Sequence, residues 1–135
     1  MLFRSYAAIN NNGKIQSPKI IEKIESFKKQ PIWENKSISK KILDIKINKK
    51  LNKLLEKSVK EGTSKAASII GKKIYGKTGT SDGNKDLWFI GSIDNLTTGI
   101  WVGYDDNKES ELSSGNAAYL WKKFISEIYK IPIKK

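Results

Sequence analysis

Residues 71–81 read "GKKIYGKTGTS", and two catalytic signatures overlap in them. Gly71 to Thr78 fits GxxxxGK[ST], a glycine-rich turn that surrounds phosphates, while Lys77 to Thr80 spells KTGT, close to a K-T-G box that lies on a strand and serves acyl transfer. The two demand opposite local structures. A phosphate cradle needs a tight nest of backbone N–H groups and a helix starting at its Lys-Thr end, so that the helix dipole faces the anion. Here the interior holds Ile74 and Tyr75, bulky strand formers, and after Thr78 the chain runs "GTSDGNKD" with no apolar residue to begin a helix. The stretch therefore reads as a strand that ends in a polar turn.

Two apolar runs follow, "LWFIGSI" (87–93) and "TGIWVGY" (98–104), separated by "DNLT" and rich in aromatic and β-branched residues. Together with the alternation that starts at Lys72 they predict a three-stranded antiparallel meander over 72–104. On such a strand Lys77 and Gly79 project to one face and Thr78 and Thr80 to the other, and Gly79 leaves room for a ligand to lie against the backbone. A cation and two hydroxyls beside an exposed strand edge can hold a carboxylate, and a backbone N–H there can stabilise an oxyanion.

Outward from the meander, Ile47, Leu51, Leu54, Leu55 and Val59 form one helical stripe, predicting a helix over 47–62 with Gly62 as its C-terminal cap. Ala117, Leu120, Trp121, Phe124, Ile125 and Ile128 predict a closing helix over 114–130, stopped by Pro132. Residues 1–46 read as a helix end ("MLFRSYAAI"), a turn at Asn10–Gly13, a strand near Lys19–Ile24 and a hairpin partner at Pro31–Glu34. The expected fold class is α+β: a single unit, 1–135, with helices packed on a small antiparallel sheet.

The chain carries a net charge of +12, but all except one of its 26 basic residues are Lys and they are spread from end to end. Specific nucleic-acid recognition, which favours Arg clustered on one face, is not expected. There is no Cys and no His, which excludes disulfides, Cys/His metal sites and Ser–His–Asp triads. Neither a metal nor a cofactor is implied, and nucleophilic chemistry would need Ser or Thr activated by Lys. No apolar run reaches the roughly 18 residues of a membrane span.

The run "EGTSKAASIIGKKIYGKTGTSDGNKDLWFIGSIDNLTTGIWVGYDDN" (61–107), followed by "SSGNAAYLWKKFI" (113–125), closely resembles the C-terminal part of the transpeptidase domain of class A penicillin-binding proteins. The N-terminal "RSYAAINNNGKIQSPKIIEKIE" resembles that family's preceding helix–turn–strand. The resemblance implies a partial penicillin-binding/β-lactamase-like transpeptidase fold, in which acyl transfer acts on D-Ala-D-Ala stem peptides of peptidoglycan and β-lactams bind. It implies that Lys77 sets the electrostatics, that Thr78 and Thr80 bind the substrate carboxylate over Gly79, and that the Thr80 N–H faces the oxyanion. The family is anchored in the inner membrane and works in the periplasm. This chain shows neither signal nor anchor and by itself is expected to stay in the cytoplasm.

The family's nucleophile lies in an S-x-x-K box and its proton shuttle in an S-x-N box, both well over a hundred residues before KTGT, whereas 76 residues precede Lys77 here. "SFKK" (Ser26 to Lys29) and "SISK" (Ser37 to Lys40) fit the first pattern, yet composition alone gives roughly two or three such matches and neither opens an apolar helix. "SGN" (Ser114 to Asn116) fits the second but follows KTGT, at a helix start where Ser and Asn are ordinary caps. The expectation is a C-terminal portion of a transpeptidase domain, inactive alone, whose last meander strand keeps a bare apolar edge. The alternatives are a portion of a class D β-lactamase-like protein, which shares a K-T-G strand and a Trp-Phe-x-Gly motif, and a non-enzymatic basic binding protein.

Overall fold

The computed structural model describes residues 2–132. Helix α1, Leu2–Asn10, is stopped where Asn12 and Gly13 adopt left-handed φ values of 53° and 78°, and the Gly13 N–H returns to the Ala8 carbonyl at 2.8 Å. Gly13 has a second reason to be glycine: a Cβ there would sit 2.8 Å from the Leu43 carbonyl oxygen. That contact brings residue 43 back to the end of α1. Between them the chain makes an excursion of two short antiparallel ribbons. Strand β1 (Lys14–Gln16) pairs with β4 (Ser39–Lys41), and β2 (Lys23–Glu25) pairs with β3 (Pro31–Glu34). The hairpin of Pro31–Glu34 with the preceding strand agrees with expectation, although that strand begins only at Lys23; the β1–β4 ribbon was not anticipated.

Helix α2 spans Ile45–Glu61. It starts two residues before the expected position because Asp44 caps it, its Oδ1 accepting the Lys46 N–H at 2.7 Å. Gly62 does cap the other end, but in an extended conformation (φ −103°), its N–H held by the Ser58 carbonyl at 3.1 Å. The apolar stripe is rotated from the expected one. Ile47 and Leu54 are 53% and 64% exposed, whereas Asn48 is buried. Asn48 Nδ2 donates to the Ile9 carbonyl at 3.0 Å, satisfying the C-terminal end of α1, so a polar residue takes a helix-docking position that hydropathy alone assigns to Ile.

The main sheet has the order β5 (Tyr75–Thr80), β6 (Asp86–Ile93), β7 (Leu96–Gly103), all antiparallel. The meander agrees with the sequence reading, with two corrections. β5 begins at Tyr75 because Gly71 takes a positive φ of 76° in a turn closed by Lys72 N–H to Ile69 O, and the β6–β7 connection shrinks to Asp94 and Asn95. Central strand β6 is covered on both faces. Phe89 points to helix α3 (Ser114–Ile128), where Trp121 meets it edge-on at 5.2 Å, and its neighbour Trp88 points the other way, to Phe3 of α1 at 6.1 Å. The core on the α3 side joins Leu87, Phe89 and Ile93 to Ala117, Ala118, Trp121 and Ile125, with Val59, Ala67, Ile69 and Ile74 beside them.

Helix α3 also presents a rotated face. Ala118 and Ser126 are buried while Leu120, Phe124 and Ile128 are largely exposed. Trp121 sets that rotation, since its Nε1 donates to Thr98 Oγ1 at 2.7 Å and its ring lies over Gly91. A Cβ on Gly91 would fall 2.6 Å from the Phe89 ring and 2.8 Å from Trp121. Gly91→Ala is therefore expected to lower the unfolding free energy by about 1–3 kcal/mol through overpacking, as measured by urea denaturation.

Candidate functional site

The KTGT segment forms the second half of β5, an edge strand that pairs with β6 alone. Thr78 opposes Phe89 and Thr80 opposes Leu87. The Thr78 N–H points away from β6, to Ser64 Oγ at 3.2 Å. Backbone groups two residues apart on a strand share a direction, so the Thr80 N–H lies on the same outer edge, one step along. That is the direction an oxyanion donor needs.

Ser64 is fully buried in the turn that follows α2, and its hydroxyl also meets Ser58 Oγ at 2.9 Å. This Ser58–Ser64–Thr78 chain of polar contacts ties the end of α2 to the KTGT strand. Immediately before it, exposed Thr63 completes a compact cluster. Thr78 Oγ1 donates to Thr63 Oγ1 at 2.9 Å, and Lys77 Nζ donates to Thr63 Oγ1 (3.3 Å), Thr78 Oγ1 (3.3 Å) and the Thr78 carbonyl (3.0 Å). The Lys77 side chain, expected on the opposite face from Thr78, thus wraps around the strand edge to the same cluster.

The Lys77 ammonium meets no carboxylate at ion-pairing distance among the described residues. The neighbouring lysines of α2 have acid partners one turn away: Lys60 with Glu56 at 2.8 Å and Lys57 with Glu61 at 3.8 Å. The Lys60 contact holds the Glu56 carboxyl below its usual range and raises the Lys60 ammonium above its own. Lys77 makes no ion pair among the described residues. Together with Leu54, Lys57, Glu61 and Thr63 it lines an open cavity of about 390 Å³. A larger cavity, of about 550 Å³, lies between α1 and the start of β7, away from these residues.

Beyond Thr80 the connection to β6 is pinned by polar contacts. Asp86 N–H donates to Ser81 Oγ at 2.8 Å, Ser81 N–H to the Asp86 carbonyl at 3.0 Å, and Trp101 Nε1 to Asp86 Oδ1 at 2.9 Å. Thr78 opens no α-helix, because β5 runs on to Thr80 and a short turn leads into β6, and Ile74 is buried in the core, as the strand reading requires and a phosphate cradle forbids.

The S-x-x-K and S-x-N matches are not brought to this edge by any shared sheet. Ser26 and Lys29 lie at the tip of the β2–β3 hairpin, where half-buried Ser26 accepts the Gln30 N–H on its Oγ. Ser37 and Lys40 flank the start of β4, on the other ribbon. Ser114 opens α3 and Asn116 caps it, Oδ1 accepting the Ser113 N–H at 2.9 Å. Sequence reasoning missed Thr63 and Ser64; the only signal was their place in the run that carries the family resemblance.

The site is set in an α+β arrangement: KTGT lies on an edge strand of a three-stranded meander, covered by a helix that carries the buried Trp121. The sequence pattern described as the penicillin binding protein transpeptidase domain matches residues 2–125. The chain is 31% identical over 128 residues to penicillin-binding protein 4 of Bacillus subtilis, covering 93% of this chain and 20% of that protein. With penicillin-binding protein 1A of Aquifex aeolicus it shares 34% over 107 residues, which is 79% of this chain and 15% of the relative. Among solved structures, penicillin-binding protein 1A of Haemophilus influenzae superposes with a TM-score of 0.74 at 19% identity, covering 99% of this chain and 27% of the other. An imipenem acyl-enzyme complex of penicillin-binding protein A from M. tuberculosis gives 0.72 at 20% identity, covering 88% and 28%. The chain belongs to the penicillin-binding protein transpeptidase domain family and spans about a fifth of the length of its curated relatives. The partial transpeptidase fold expected from sequence is the one observed. Among the described residues no helix is long and apolar enough to cross a membrane.

Packing does not demand a glycine at position 79. A Cβ there would approach nothing closer than Trp88 Cβ at 3.5 Å, an ordinary contact. Gly79→Ala is therefore expected to change the unfolding free energy by less than about 1 kcal/mol in a urea titration, in contrast to Gly91→Ala.

Proposed function

We propose that this chain supplies the substrate-docking edge of a D,D-transpeptidase site in peptidoglycan synthesis, and not its nucleophile. The Lys77–Thr78 cluster receives the terminal carboxylate of a D-Ala-D-Ala stem peptide or of a β-lactam, and Gly79 lets the ligand lie against the strand. The Thr80 hydroxyl adds a contact, and the Thr80 N–H donates to the oxyanion. The observation that carries this reading is the Lys77 ammonium, held by two threonine hydroxyls and a carbonyl with no acid partner among the described residues, one step from an outward strand amide. Such an ammonium is organised before the anion arrives and lacks only its counter-charge. Residues 1–135 act in this reading as one unit of the domain.

Neither Ser26 nor Ser37 fits the nucleophile's role. Each lies outside the KTGT sheet, on or beside a separate ribbon, and neither heads a buried helix that would hold a hydroxyl beside its lysine.

Titration of the 15N-labelled chain with N-acetyl-D-alanyl-D-alanine is expected to shift the Thr78 and Thr80 amide resonances, and Lys77→Met is expected to weaken binding by about tenfold or more. An unperturbed KTGT strand, or equal binding by Lys77→Met, would contradict the proposal.

A further inference from the structure

Residues 14–43 leave the main body as the two ribbons, and the core described above contains none of them. The outer ribbon, β2 with β3, has two unlike faces. Ile24 and Trp33 oppose each other and so share one face, where both stay half exposed, while Lys23 pairs with Glu25 at 2.9 Å and opposes Glu34 on the other. At the tip a tight turn, with Lys29 at a φ of 59° and its N–H on the Ser26 carbonyl at 2.9 Å, leaves the Phe27 side chain wholly in solvent. Lys28 and Lys29 follow it, and neither meets a carboxylate at ion-pairing distance among the described residues. Ile20, Ile21, Ile32, Ile38 and Ile42 are exposed along the same segment, a concentration that marks an interaction surface.

Charge selects the partner. Residues 14–43 hold eight lysines against three glutamates, a net charge of +5, so the partner is anionic as well as apolar. We propose that the β2–β3 hairpin is a contact for the surface of an anionic phospholipid bilayer: Phe27 enters the boundary between headgroups and acyl chains, Ile24 and Trp33 rest at headgroup level, and Lys28 and Lys29 meet lipid phosphates. A bilayer surface supplies both chemistries in the order the hairpin presents them, charge outside and hydrocarbon beneath, and lysine stems can lie along the apolar layer while their ammonium groups stay at the phosphates. The dimensions agree. Ile24 lies three residues before Phe27, at most about 10 Å along an extended chain, and interfacial elements sink about 5–10 Å. A half-exposed Trp above an apolar tip matches the preference of indole for the headgroup level. The contact lies on the membrane surface and requires no spanning segment.

Flotation of the whole chain with vesicles tests this, using phosphatidylcholine mixed with phosphatidylglycerol in equal parts and phosphatidylcholine alone. Binding to the mixed vesicles and not to phosphatidylcholine alone is expected. Phe27→Ser, which changes no charge and lies where it cannot disturb the core, is expected to weaken binding about tenfold. The Lys28→Gln/Lys29→Gln double variant is expected to weaken it tenfold or more, at about fivefold per lysine. Lys49→Gln/Lys53→Gln, an equal loss of charge on the exposed side of α2, is expected to change it less than about twofold. Equal binding by Phe27→Ser, or an equal loss in both lysine pairs, would reduce the effect to attraction by net charge and overturn the proposal. It also fails if the wild type does not float with the mixed vesicles, or if sedimentation shows a dimer that Phe27→Ser disperses, which would make a second copy the occupant of the hairpin.

Discussion

The position of the KTGT edge depends on how Trp121 is seated. Its indole lies on β6 at Gly91, edge-on to Phe89, with its N–H held by Thr98 of β7. The bare backbone at Gly91 is what admits the ring, and Gly91 opposes Gly76 of β5, whose own missing Cβ leaves room for the Phe89 ring at 2.5 Å. Two glycines and two aromatic rings thus lock α3, β5, β6 and β7 into one register. Because a register slip of one residue would turn every side chain of β5 to the opposite face, this packing fixes which way Lys77 and Thr78 point.

The other border of β5 is held by polar contacts. Where a further strand would pair, the chain places the turn after α2, and the Thr78 N–H donates to the Ser64 hydroxyl, which is itself hydrogen-bonded to that of Ser58. A buried amide must find a partner, and Ser64 provides one without adding a strand that would cover Thr80. An edge closed at Thr78 and open at Thr80 follows from that substitution of side chain for ladder.

The meander, the KTGT edge and the Trp-bearing helix were legible because each rests on local signals: strand-forming runs, turn residues and one apolar period. The helix faces were read less well. Counting apolar letters favours Ile47 and Leu54 over Asn48, but the decisive contact is a hydrogen bond from Asn48 to a carbonyl 39 residues earlier, which no period encodes. The same holds for Leu120 and Phe124, exposed because the Trp121 anchor rotates α3. The β1–β4 ribbon joins two exposed three-residue strands with no alternation to announce them. Thr63 escaped for a related reason, since its place in the cluster arises from contacts with residues 14 and 15 positions away and its letter carries no catalytic expectation.

The central claim is that this chain docks the substrate's carboxylate end and does not attack it. Intact-mass spectrometry of the purified chain after prolonged exposure to benzylpenicillin tests that division most directly. The account predicts an unmodified mass. An acyl adduct mapping to Ser26, Ser37 or any other serine of the chain would contradict it.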